Sequence, residues 1–552
     1  MAEWWKVQGL ARQKTRRYID ENTNIGANMG VFISLCASNK VDPVQWEKAY
    51  EETFVLVNRL GLIEFREFEK FGQKYYAATL SVEREHRCGL GWIAEGDAVF
   101  MARAEDFFLP RKIKEPKQEE KYCDPLMFIL AQNGIVDFKN PYVEGVQDFW
   151  ESKTQGEPYH AGLLAVGCLL DDRLNGEVVC GSDITYGQCK YAIEKANKIL
   201  KKKIGMPLRC RMEDLYNRVR QLPIEKSQML EAFAATYLGA KDEQYYKFVA
   251  EHFSDEEQYL FIKEEMSGRY LGTIGFADCI QKILSYNMPI GWVCSAFLEM
   301  PPKQMNSEEV KNPFEVFIKH ILETNIYLVE KDMRDCLKVD EANGETMCVE
   351  KQFANILFMG ARNRSVARYI PLEELKAQLA DALGDKCNIE EIIENCLKDK
   401  SKEQDEKRKA FAKLNDFHDE FNKKLAEAEK KYDVARTEYL ICFRKGKTMS
   451  PELLESVKKS AEFYRTGINE PRFAELIQGS CEDRCRYLER QNRALKLMNF
   501  EWEHIFEDIK ENPESFKRYY PMVRVEINHR SIHDFVRAYV VNDDFYEMCQ
   551  TL

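Results

Sequence analysis

The sequence predicts a mainly α protein with small α+β parts, organised as several domains and carrying a long antiparallel helical hairpin towards its C-terminus. Three observations predict it. Apolar helical faces recur from residue 159 onward, while strand-like runs bounded by turn residues are short and few. A sustained heptad pattern occupies 400–445, with a second apolar helical face directly behind it. The chain has 552 residues, more than the ~250–300 that one hydrophobic core usually supports. Four units are expected: an N-terminal α+β domain over 1–112, a mostly helical middle domain over 123–302, a helical segment with a β-hairpin insert over 303–397, and a helical C-terminal domain over 400–552.

Residues 29–36, MGVFISLC, are short, apolar and rich in β-formers, and predict a buried strand. Asp42-Pro43-Val44-Gln45 then opens a helix to about 60: Asp42 caps it, Pro43 suits the first helical position, and Gln45 can reach back. Strands are expected near 63–68 and 75–82. No glycine-rich turn joins the first strand to its helix, so this is not a nucleotide-binding unit. The charged stretch 110–122, with its two prolines, marks the first boundary.

Beyond it, 159–173 forms an apolar helix, Asn175-Gly176 a turn, and 177–180 a short extended piece. Thr185 and Gln188 match a capping box, behind which Cys189, Ala192, Ile193, Ala196, Ile199 and Leu200 make one helical face. Helices follow at about 211–221, 225–238, 241–253 and 255–267, and again over 308–328. Asn343-Gly344 between strand-like segments predicts a hairpin over 337–349. The heptad seam runs through Ala410, Leu414, Phe417, Phe421, Leu425, Ala428, Tyr432, Ala435 and Tyr439. Gly446 ends that helix, and Ser450-Pro451 starts a second with Leu453, Val457, Ala461 and Tyr464 on one face. Because the complementary helix lies immediately downstream, a hairpin is favoured over an intermolecular coiled coil. Further helices are expected at about 471–479, 481–498 and 530–541, with a strand over 522–527.

The net charge of −12 argues against a protein that coats nucleic acid through bulk charge, though local basic patches stay compatible with it. The 17 cysteines include no Cys-x-x-Cys pair, and many sit in apolar runs, as Cys36, Cys168 and Cys294 do. That usage points to small buried hydrophobes in a reducing compartment, and hence to a cytoplasmic protein. The first residues are basic but lack the apolar core of a secretory signal, which suggests an amphipathic first helix. No run of ~18 apolar residues is present, so no membrane association is expected.

No phosphate-binding loop, nucleophile elbow or zinc-protease motif occurs. His529 and His533, four apart near the start of a helix, could share a metal with Glu526, Asp534 or His504, but capping or surface histidines have the same spacing. Glu151-Ser152-Lys153 fits the Glu-x-Lys tripeptide of metal-dependent nucleases, with Asp137, Asp148, Asp171, Asp172 and Asp183 around it. A chain this charged contains such tripeptides by chance; Glu374-Leu375-Lys376 is another. Arg524 and His529 have a spacing used by helical ribonucleases, here in a β-like context. Arginine clusters carry more weight. Arg486, Arg490 and Arg493 fall on one face of the expected 481–498 helix, Arg362, Arg364 and Arg368 gather beside a glycine, and Arg209, Arg211, Arg218 and Arg220 follow Lys201, Lys202 and Lys203. Guanidinium forks suit phosphates and carboxylates, although neighbouring acids also make them solvated faces with internal pairs. No cofactor and no resident metal is expected. The balance favours a non-catalytic interaction protein, an adaptor or subunit of a larger protein or nucleoprotein assembly. Its binding residues would be Arg486, Arg490, Arg493, Arg362, Arg364 and Arg368, and its principal partner a protein. The alternative is a metal-dependent nucleic-acid-processing enzyme acting through Glu151 and Lys153 or through His529 and His533.

Overall fold

The computed structural model describes residues 31–117, 119–300, 312–327, 366, 368–398, 440–466, 470–524 and 530–552. The expected first helix, the hairpin over 337–349 and the heptad seam over 410–439 lie outside the described residues. Helix predominates, with two small antiparallel sheets.

The first sheet has three strands. Strand β1 (Phe32–Ala37) lies between β7 (Gln147–Lys153) and β8 (Val178–Ser182), with Leu35 opposite both Trp150 and Cys180. Strand side chains alternate in direction, and here the alternation feeds two cores. Ile33, Leu35 and Ala37 enter one with Val178 and Cys180, whereas Cys36 and Val179 enter the other. Helices α1 (Pro43–Arg59), α3 (Tyr159–Arg173) and α4 (Tyr186–Ile199) cover the first face, and α2 (Pro125–Gln132) covers the second. Local chemistry starts these helices where the sequence indicates. The Asp42 carboxylate accepts the N–H groups of Val44 and Gln45, and Thr185 with Gln188 makes a reciprocal capping box. Helix α3 is apolar nearly all round and buried accordingly. Gly167 within it faces β8, where a Cβ would lie 1.9 Å from the Cys180 sulfur.

The second sheet contains β2 (Leu62–Lys70), β3 (Gln73–Leu80), β4 (Arg84–His86), β5 (Gly89–Asp97) and β6 (Arg103–Pro110). The expected strands near 63–68 and 75–82 are β2 and β3; β4 to β6 come in addition. One edge of β5 pairs with β6, and the other is shared between β2 at Leu62 and Ile63 and β4 further along. Where the two strands part, the buried Glu64 carboxylate meets Arg84 at 2.8 Å and Arg66 at 3.4 Å.

The middle of the chain forms α5 (Met212–Val219), α6 (Met229–Thr236), α7 (Glu243–His252), α8 (Asp255–Met266), α9 (Ile274–Ser285), α10 (Ile290–Glu299), α11 (Pro313–Glu323) and α12 (Leu372–Leu383), with a further helix over 389–398. They share one core with α2, in which Phe233 stacks on Tyr245 at 5.8 Å.

The C-terminal helices are α13 (Pro451–Thr466), α14 (Pro471–Gln478), α15 (Cys481–Gln491), α16 (Asn499–Glu511), α17 (Arg530–Val541) and α18 (Asp543–Thr551). Tyr75 and Ala77 of β3 enter their core beside Trp502 and Phe506. Two expectations are corrected here. The helix expected over 481–498 ends at Gln491, and the chain after it runs along the edge of β3, where Ala78 N–H donates to Leu497 O at 2.9 Å. That hydrogen bond, and burial of Leu497 and Met498 against the sheet, displace the helical continuation. The strand expected over 522–527 begins instead with a 3-10 turn over Tyr520–Arg524, where buried Tyr520 and Met522 pack into the helical core; 525–529 lie outside the described residues.

Arg537 of α17 fastens these helices to the second sheet. Its guanidinium, buried, donates to Glu501 at 3.0 Å and to the carbonyls of Ala98 and Val99 at 2.8 and 2.5 Å. Replacing it by Met leaves Glu501 and both carbonyls without that cation, a loss on the order of 3–5 kcal/mol for a broken buried pair. Arg537→Met is therefore expected to lower the denaturant midpoint strongly, while Arg59→Met at an exposed site leaves it within ~0.5 kcal/mol.

Candidate functional site

The densest chemistry in the described chain lies where α3, β8, α4 and the turn over Leu208–Cys210 converge. Helix α3 places Leu164, Gly167, Cys168 and Asp171 on one face by their spacing of three and four residues. Strand β8 contributes Cys180. Cys189 occupies the first turn of α4, its N–H donating to Thr185 O at 3.0 Å. The turn contributes Arg209 and Cys210. All of these but Cys210 line a cavity of about 10 Å³, with apolar neighbours including Leu238. That is room for about one water molecule.

Arg209 is the unusual member. Its side chain is buried, donating from Nε to Thr236 O at 2.8 Å and from Nη1 to Cys180 O at 2.7 Å. No carboxylate pairs with it among the described residues. A guanidinium keeps its proton in a protein, so its burial is offset here by the two carbonyl acceptors. The groups that act on it are sulfurs: Cys189 first, then Cys210, Cys180 and Cys36. Cys189 is held well below the usual thiol range, chiefly because Cys168 and Cys210 donate hydrogen bonds to its sulfur, with Arg209 adding its charge. The helix N-terminus acts in the same direction. The same hydrogen bonds push Cys168 and Cys210 up. Burial raises Asp171 to about 7, although Leu208 N–H donates to its two oxygens at 3.0 and 3.2 Å. His160, buried at the start of α3, is lowered to about 4 by desolvation and bonds Thr154 Oγ1 through Nδ1 at 2.8 Å.

The residues that the sequence singles out lie elsewhere. Glu151 is exposed in mid-β7, opposite Ser34. The Lys153 ammonium lies 5.1 Å over the Phe32 ring, and Asp183 accepts the Phe32 N–H at 2.9 Å, so the sheet brings those two side chains to the same residue. Asp137 accepts Lys139 N–H, and Asp172 accepts Gly205 N–H and pairs with Arg173. His533 is half-buried on α17, and His529 lies outside the described residues. So do Arg362 and Arg364, whereas Arg368 donates to Met288 O at 2.5 Å. Arg211, Arg218 and Arg220 pair with Asp214, with Asp124 and Glu177, and with Glu257. Arg486 pairs with Glu482 and donates to Phe71 O. Arg490 is exposed at the end of α15; Arg493, expected on the same helical face, lies in the extended stretch beyond it and is exposed too. Among the described residues, no three or more His, Cys, Asp or Glu side chains are arranged to hold a metal ion.

No family model, curated protein or solved structure matches this chain.

The pH dependence of Asp171 follows from its burial. Its carboxyl titrates near 3.8 when unperturbed and about 7 in the folded protein, so the fold favours the protonated form. Its contribution to stability is full below about pH 4 and is lost as pH rises through 7, with a limiting slope of about 1.4 kcal/mol per pH unit. Asp171→Asn keeps an acceptor for Leu208 N–H and carries no charge. Denaturant unfolding across pH 4–7 is expected to show wild-type stability falling with pH relative to Asp171→Asn; parallel curves would contradict this assignment.

Proposed function

We propose that this chain is a non-catalytic cytoplasmic interaction protein, an adaptor or subunit of a larger assembly, which offers Arg490 and Arg493 to an acidic protein surface. One contrast carries the reading. Within one short stretch, Arg484 donates to the carbonyls of Leu476, Ile477 and Gly479, and Arg486 pairs with Glu482. Arg490 and Arg493 stand exposed and make no hydrogen bond or ion pair among the described residues. Exposed guanidinium forks that form no internal ion pair suit a carboxylate-bearing partner. The multidomain organisation and the hairpin over 400–464 belong to the same proposal. One observation bears on the hairpin: Val457, Ala461 and Tyr464 of α13 are buried in the core that holds Phe535 and Phe545.

The test is retention of a partner by the tagged full chain from its own cells, with and without nuclease. Wild type is expected to retain a stoichiometric protein partner after nuclease treatment. Arg490→Glu with Arg493→Glu weakens that binding at least about tenfold, equal to 1.4 kcal/mol, while Glu151→Ala and His533→Ala leave it unchanged. Binding that disappears with nuclease, or that survives the double reversal, overturns the proposal.

A further inference from the structure

We propose that the solvent face of α4, with the lysine turn that follows it, binds the phosphate backbone of single-stranded nucleic acid. Helix α4 buries Cys189, Ala192, Ile193 and Ala196 on one side. The other side carries Lys190, Tyr191, Glu194, Lys195 and Lys198, and Lys201, Lys202 and Lys203 follow directly. Glu194 is the one acid between 186 and 205, in a chain whose net charge is −12. The ammonium groups of Lys190, Lys195, Lys198, Lys201 and Lys202 form no ion pair or hydrogen bond among the described residues. By contrast Arg209, Arg211, Arg218 and Arg220, next in sequence, all have internal partners.

The turn is held by other groups, and the ammoniums of Lys201 and Lys202 play no part in holding it. Asn197 clamps Ile204, accepting its N–H at 2.9 Å and donating to its carbonyl at 3.0 Å. Arg173 donates to Lys202 O at 2.5 Å, and Asp172 accepts Gly205 N–H at 2.9 Å. The acids that reach this anchor, Glu52 and Asp172, pair with Arg173 and not with a lysine. A helix dipole favours cations in the last turn, and Lys203 already serves there by donating to the carbonyls of Asn197 and Leu200. Lys190, Lys201 and Lys202 are left exposed without an internal role.

The chemistry of the row selects the ligand. Lysines a turn apart along about 21 Å of helix match a strand of closely spaced phosphates. Such a strand releases condensed counterions as lysines replace them, a gain that grows with each unpaired cation. Ammoniums are point charges without the planar fork of arginine, so they read backbone and not sequence. Two rings accompany them. Tyr186, 42% exposed, stands one turn before Lys190, and the Lys195 ammonium lies 4.7 Å over the Tyr191 ring. Unpaired bases stack on such rings. A membrane surface fits less well, because the aliphatic side chains of α4 pack into the core and leave none between the lysines to insert.

Fluorescence anisotropy of a labelled 20-nucleotide oligothymidylate with the purified full chain, between 50 and 200 mM KCl, tests this. Micromolar binding is expected at the lower salt, with log K falling against log salt at a slope of about −3, since each neutralised phosphate contributes ~0.7. Lys198→Glu with Lys201→Glu and Lys202→Glu is expected to weaken binding at least about tenfold and to reduce the slope by about 2. Lys201→Gln with Lys202→Gln, milder and outside the helix, is expected to reduce it by about 1.4. Lys319→Glu with Lys458→Glu and Lys510→Glu changes net charge as much as the first variant at other exposed sites, and is expected to leave the slope unchanged and the affinity within about threefold. No binding at 50 mM KCl overturns the proposal. So do equal losses in the two triple variants, or tighter binding to poly-glutamate or to phosphatidylserine vesicles than to the oligonucleotide.

Discussion

Strand β1 belongs to two cores at once, and residues 31–210 are arranged around that fact. Its odd-numbered side chains, Ile33, Leu35 and Ala37, pack under α1, α3 and α4. On the opposite face Cys36 packs against α2, and the Ser34 hydroxyl reaches Gln132. A one-residue slip would exchange these sets, putting the serine hydroxyl into an apolar core and isoleucine against a glutamine. Both edges of the strand are paired as well, by β7 and β8, so its backbone groups are satisfied without solvent. The charged stretch 110–122 lies between β1 and both of its partners in sequence. The chain crosses the surface there and returns to complete the sheet it began.

The parts of the fold legible in the sequence are those whose cause is local. Asp42-Pro43 and the Thr185–Gln188 box begin helices through hydrogen bonds within four residues, and the run over Phe32–Ala37 is apolar because both of its faces are covered. What stayed hidden depends on distant partners. Strand β5 opens with Gly89-Leu90-Gly91, which reads as loop; yet a Cβ on Gly91 would lie 2.2 Å from Leu109 O, so the glycine is required by the close approach of β6. Strand β7 buries only Trp150 strongly and otherwise carries polar residues, so it shows little apolar alternation. Residues 494–498 are apolar enough to continue a helix, but the edge of β3 takes their hydrogen bond. The thiol cluster has no motif because its cysteines come from four elements. The signals that could have found it are a cysteine in the first turn behind a capping box and the dipeptide Arg209-Cys210.

Arginine clusters in the sequence proved to contain two physical kinds of residue. Several guanidiniums are anchored on carbonyls near the ends of helices, where backbone acceptors lack intrahelical partners. Arg209 takes Thr236 O at the end of α6, Arg484 takes three carbonyls at and beyond the end of α14, and Arg518 takes Tyr539 O near the end of α17. These side chains stabilise the joints between helices and are unavailable to a ligand. Spacing along the chain does not separate them from Arg490 and Arg493, because the distinction lies in whether a carbonyl or carboxylate stands within reach. The same sorting explains why ion pairing weakens a binding argument for Arg211, Arg218 and Arg220 and not for Arg490 and Arg493, which form no ion pair among the described residues.

The anchored arginines differ in how their charge is met. Arg518 and Arg537 each have an acid, Asp543 and Glu501, in addition to carbonyls. Arg209 and Arg484 are buried with carbonyl acceptors alone among their hydrogen bonds. The guanidinium keeps its proton at any ordinary pH, so those carbonyl dipoles have to offset its desolvation. Thr236 O belongs to α6 in the helical core and Cys180 O to β8 of the first sheet, so the same two hydrogen bonds that satisfy Arg209 also join the helical core to the sheet built on β1.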